Sequence, residues 1–137
     1  MPRLSIVMIR TALGYLTVGA LAGALLLAQP GVPLGHWLTR LVPIHVEFLL
    51  LGWTVQLALG VAFWILPRFR SRAVRGWETP AWLAFVLLNV GVQTVAVGSA
   101  LGSPAIVRLL GRCAEFLAAG AFGVHAWPRV KVFGGGG

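Results

Sequence analysis

Four apolar runs, near residues 7–28, 45–66, 80–101 and 105–127, occupy most of a chain of 137 residues, and no other feature limits its folding so severely. At 1.5 Å of rise per residue, about 20 residues cross a hydrocarbon core about 30 Å thick. Each run is that long. With 58% hydrophobic and 10% charged residues, a water-soluble domain of this size has too little interior to hide its apolar side chains. The pattern predicts an all-α integral membrane protein. Because the connections are short and each segment must satisfy its own backbone polar groups in lipid, the expected form is an up-and-down bundle of four transmembrane helices. Residues 1–133 form one expected domain, and the closing glycines 134–137 read as a disordered tail.

The first run is too long for a signal peptide and lacks a small-x-small cleavage site, so it is kept as a helix of the mature protein. The net charge of +8, from 11 basic and 3 acidic residues, is better explained by topology than by nucleic acid, which is not an expected partner. Arg3, Arg10, Arg68, Arg70, Arg72, Arg75, Arg129 and Lys131 fall on one side, against Arg40, Arg108 and Arg112 on the other. An excess of lysine and arginine marks the cytoplasmic side. A multi-pass membrane protein with both termini cytoplasmic is the reading that follows, and the inner (plasma) membrane of a prokaryote is its expected location. Trp64, Trp77 and Trp127 fall near that same boundary, as an aromatic belt requires. On the opposite side, Leu34, Trp37, Leu38 and Leu41 have the spacing of a short amphipathic helix lying in the interface. The single cysteine, Cys113, excludes an intrachain disulfide and a CxxC pair, and is expected as a small buried residue.

Tyr15, Gly19 and Gly23 share a stripe of the first run, and the GxxxG pair permits close helix contact. Asn89 and Gln93, at i and i+4 in the third run, share a face and are expected to hydrogen-bond to other helices. Small-residue faces of this kind also suit self-association, so a homo-oligomer, most simply a dimer, is expected.

Chemistry concentrates in the stretch PIHVEFLLLGWTVQLALGVAFWILPRF, residues 43–69. His45 shares a helical stripe with Gly52, Gln56 and Phe63, whereas Glu47 is rotated about 200° away. Gly52 leaves a flat surface below the imidazole, where a planar ring or a second helix can approach. Neutral imidazole is a good axial ligand for haem iron, and the alternative for His45 is a histidine at the headgroup boundary bonded to water or a carbonyl. In the fourth run Arg108, Arg112 and Glu115 form one stripe. Arg112 can pair with Glu115 in its own helix, reach Glu47 across the bundle, or meet a haem propionate. His36, ten residues before His45, is at a suitable level to join His45 and Glu47 in a copper or zinc site. His125 lies about 30 Å away at the other end, reads as interfacial, and cannot share a metal with His45. No Ser-His-Asp set, phosphate loop or pair of carboxylates on a shared face is present, so an enzyme with its own turnover is the weakest reading.

His45, Gly52-Trp53, Gly60 and Leu66-Pro67-Arg68 together resemble the second transmembrane helix of haem-copper oxidase subunit I, particularly the C-type oxidases and the large subunits of nitric oxide reductases. The chain is also similar to the small four-helix, subunit-I-like proteins of the NorH and NnrS type. The resemblance covers about 25 residues well, and the helices that carry the second low-spin haem ligand and the binuclear centre in the full enzymes have no counterpart here. It implies that His45 is an axial ligand of a b-type haem; Gly52 and Gln56 on its stripe, and Arg108 or Arg112 near the propionates, are the residues expected to complete such a site. The expected function is then electron relay or the handling of a diatomic gas such as nitric oxide or oxygen. The alternatives are a non-catalytic accessory or assembly subunit of a respiratory oxidase or nitric oxide reductase, and the copper or zinc site at His45, Glu47 and His36.

Overall fold

In a computed structural model of the chain, which describes residues 1–31, 35–66 and 77–131, the protein is helical throughout, with no strand among the described residues. Helix α1 is Arg3–Ala28, α2 is His36–Ile65, α3 is Thr79–Ala100 and α4 is Ala105–Lys131. The helices α1, α2 and α3 are each long and apolar enough to cross a membrane. Helix α4, with 27 residues, is about 40 Å long, but it carries Arg108, Arg112, Glu115, Arg129 and Lys131 and is more polar than the others. Four apolar spans were expected; among the described residues three helices meet that description, together with a fourth long helix of mixed character.

The expected interfacial helix is not separate. His36–Arg40 forms a turn of 3-10 helix that runs directly into Leu41 and the body of α2. Pro43 is tolerated because it falls in the first α-helical turn, where backbone N–H groups have no partner inside the α-helix. Leu34 lies outside the described residues, as do Arg68, Arg70, Arg72, Arg75 and the glycine tail. Helix α4 continues through Pro128 to Lys131 rather than stopping at Trp127.

Midway, residues Phe48–Val55 of α2 widen into π-type turns. Thr54 follows the same register, its Oγ1 donating to the Leu49 carbonyl five residues back at 2.8 Å. A widened turn of this kind rephases a helix and recurs at functional sites. Here it keeps His45, Gly52 and Gly60 all facing α1, where they meet Gly23, Tyr15 and Met8 respectively.

Two helical hairpins make the bundle: α1 packs along α2 and α3 along α4, and the upper half of α2 joins the pairs through α3. The turn between α3 and α4 closes with the Ser103 N–H on the Gly98 carbonyl at 2.8 Å, and Gly102 there has φ of 71°. That is the left-handed C-terminal cap that glycine allows at low cost. One core cluster gathers Leu4, Met8, Phe63, Ala81, Ala84 and Phe122 at the end where the chain starts and finishes. The second, of Tyr15, Phe48, Leu88, Val92, Ala96 and Ala118, fills the middle and the opposite half. Outward faces are apolar: Leu27, Leu101 and Phe116 expose 83%, 73% and 80% of their surface. Large apolar faces of this extent match lipid rather than water.

Candidate functional site

Among the described residues, several groups of polar side chains lie inside the bundle and join its helices. At the His45 end, His45 Nδ1 is 2.8 Å from the Gly19 carbonyl of α1. A carbonyl only accepts, so Nδ1 carries the hydrogen and donates it, leaving the Nε2 lone pair uncommitted to that bond. The ring lies against Gly23, where any Cβ would collide with it. The GxxxG pair of α1 is therefore a seat for the imidazole, which is the close helix contact expected of it.

Gly52 was expected to leave room for a flat ring. The ring found there is Tyr15: a Cβ on Gly52 would lie 2.6–3.0 Å from its atoms. A neighbouring helix fills the notch because glycine removes side-chain bulk and α1 can then approach closely. Gln56 is fully buried and equally committed, donating to the Met8 carbonyl at 3.3 Å and accepting from Asn89 at 2.8 Å. Beside Gly52 and Gln56, where the sequence suggested room for a haem, the described residues place the Tyr15 ring and the amide bonds to α1 and α3.

Asn89 organises the middle. Its Nδ2 donates to Gln56 and to the Phe85 carbonyl, and its Oδ1 accepts from the Tyr15 hydroxyl at 2.9 Å. Tyr15 in turn accepts from Gln93 Nε2 at 3.3 Å. The shared face of Asn89 and Gln93 is therefore used for bonds between helices, as expected. Tyr15→Phe removes a donor and an acceptor at once while keeping the ring over Gly52. It is expected to cost about 1 kcal/mol, in the usual range for hydrogen bonds between membrane helices, read as the shift in thermal unfolding in detergent.

The charged group joins α2 to α4. Arg112 donates to both oxygens of Glu47, at 2.8 and 2.7 Å, and to Glu115 Oε2 at 2.8 Å. Both pairings open to Arg112 within the protein are realised together. Glu47 is 4% exposed, whereas the Arg112 side chain keeps half its surface open. Arg108, one turn earlier, donates to the Ser103 carbonyl instead.

No group of three potential metal ligands occurs among the described residues. His36 is exposed at the start of α2, and Glu47 is occupied by Arg112. The copper or zinc set of His36, His45 and Glu47 is therefore not assembled. Cys113 is exposed, not buried, because it follows Arg112 on the outer face of α4.

His125, expected at the interface, is buried. Its Nδ1 is 2.9 Å from the Trp77 carbonyl and its Nε2 is 2.7 Å from Arg129, with the ring stacked on Phe63. Since arginine only donates, Nε2 must accept and Nδ1 must carry the hydrogen. Arg129, counted in the sequence only as a topological charge, is 1% exposed and also donates to the Leu66 carbonyl. The i, i+4 spacing of His125 and Arg129 was the one available signal.

No protein-family model, no curated protein and no solved structure matches this chain.

Proposed function

We propose that the chain is a four-span membrane protein of the inner membrane of a prokaryote that serves as an accessory or assembly subunit of a respiratory complex. One observation carries this. His45, Glu47, Gln56 and Asn89 are each bonded to another helix of the same chain, so the polar groups serve to hold the bundle together while its outer faces stay apolar. Helix α4 is the fourth span in this reading: its charges sit in the first turns or face Glu47 at one end, and Arg129 lies at the other. Arg3, Arg10, Arg129 and the arginines between α2 and α3 put both termini in the cytoplasm.

The partner surface is the groove between α1 and α3, about 480 Å³, lined by Thr11, Gly14, Val18 and Gln93 over a floor of Tyr15. Gly14 has nothing within 4 Å of its Cβ position, and Gln93 is exposed at the rim. A small residue beside an amide suits another transmembrane helix. The resemblance of α2 to the oxidase helix makes a haem-copper oxidase or nitric oxide reductase the class of complex to test. Gln93→Leu is expected to weaken its association several-fold, about 1 kcal/mol, measured as the fraction retained on a tagged chain.

A second reading, a b-type haem held through His45, is favoured by the hydrogen bond from Nδ1–H to the Gly19 carbonyl, which leaves Nε2 able to bind a metal. Purification of a tagged chain from its native membranes separates the two. The accessory role predicts a larger respiratory complex in the eluate and no Soret absorbance once that complex is stripped away. A Soret band that stays with the isolated chain and disappears in His45→Ala makes haem binding the function.

A further inference from the structure

The charged group at the His45 end holds two carboxylates and one guanidinium. Glu47 is satisfied at both oxygens by Arg112, and Glu115 Oε2 by the same arginine. Glu115 Oε1 is buried and has no hydrogen-bond partner, and the side chain is only 7% exposed. If both acids were ionised, the group would carry a net negative charge and an unpaired acceptor in a low-dielectric interior, and each is costly there. The charged and titratable groups facing Glu115 are Glu47 from α2 and Arg112 from its own helix. Helix α3 presents Gly91, which the Glu115 Cγ packs against, and Arg108 is turned to the Ser103 carbonyl.

We propose that Glu115 is a proton-binding residue, carrying an exchangeable proton on Oε1 at neutral pH while Glu47 and Arg112 form the ionised pair beside it. One proton removes the excess charge and converts the orphaned acceptor into a donor. Two acids sharing one arginine divide into an ionised and a neutral partner, as like charges at close range require. The missing donor selects Glu115: both Glu47 oxygens take bonds from Arg112, whereas Glu115 Oε1 takes none. The inference stands apart from the accessory role, because it concerns only the internal chemistry of this chain.

Infrared spectroscopy of the full chain in lipid nanodiscs tests it. At neutral pH the protein is expected to show the carbonyl stretch of one un-ionised carboxylic acid, shifting in deuterium oxide. The band should vanish in Glu115→Gln and persist in Glu78→Gln, whose carboxyl lies at the start of α3. Should Glu115→Gln fail to fold, Glu115→Asp retains an acid at the site and is expected to move the band. No such band in the wild type, a band left unchanged by both Glu115 variants, or its replacement by a sodium-dependent carboxylate signal overturns the proposal.

Discussion

Arg112→Met is expected to lower the unfolding free energy by about 3–5 kcal/mol, the usual cost of stripping a buried charge of its partner. Glu47 is 4% exposed and takes both of its charged hydrogen bonds from this one side chain, which also holds Glu115. Methionine fills much of the same volume, so little of the loss is cavity. What remains is a carboxylate inside the bundle with no donor. Removing the charges together has the opposite consequence. With Glu47→Gln, Glu115→Gln and Arg112→Met combined, nothing ionised is left, and such replacements of buried ion groups are often neutral or stabilising. Unfolding in detergent, followed by helical circular dichroism across the two variants, distinguishes an ion group that binds helices from one that is incidental.

Gly91→Leu is the second large effect, about 1–3 kcal/mol from overpacking. A Cβ there would lie 2.8 Å from the Gly111 carbonyl and 3.1 Å from the Glu115 backbone nitrogen. These are backbone atoms of α4 and cannot rotate aside, so α3 and α4 must separate. A Cβ on Gly111 would meet the same contact from the other helix, 3.2 Å from the Gly91 carbonyl. Gly120, in the same helix α4, has nothing within 4 Å. Gly120→Leu is therefore expected to stay within about 0.5 kcal/mol of the wild type, measured by the same unfolding experiment.

How far the fold could be read in advance differs from element to element. Length and apolarity were enough for α1, α2 and α3, since lipid leaves a continuous helix as nearly the only choice. Spacing was enough to bring Arg112 to Glu115 and to set Asn89 and Gln93 on one face. Glycine spacing marked where helices approach, yet a gap does not name its occupant. Gly52 could have admitted a cofactor or a helix, and only the packing of α1 shows that Tyr15 fills it. The widened turns at Phe48–Val55 were invisible because periodicity assumes 3.6 residues per turn throughout. Arg129 and Cys113 were misjudged in opposite directions: an arginine near a helix end is ordinarily solvated and a cysteine ordinarily buried. Here the acceptors His125 and Leu66 draw the first inward, and the outer face of α4 carries the second.

The central claim is that polar side chains inside the bundle bind its helices to one another, and a double-mutant cycle on Glu47 and Arg112 tests it most directly. Unfolding free energies of Glu47→Gln, Arg112→Met and the double variant are expected to give a coupling of at least about 1 kcal/mol between α2 and α4. Single losses that add to within about 0.3 kcal/mol would contradict it, because the ion pair between these helices would then hold nothing together.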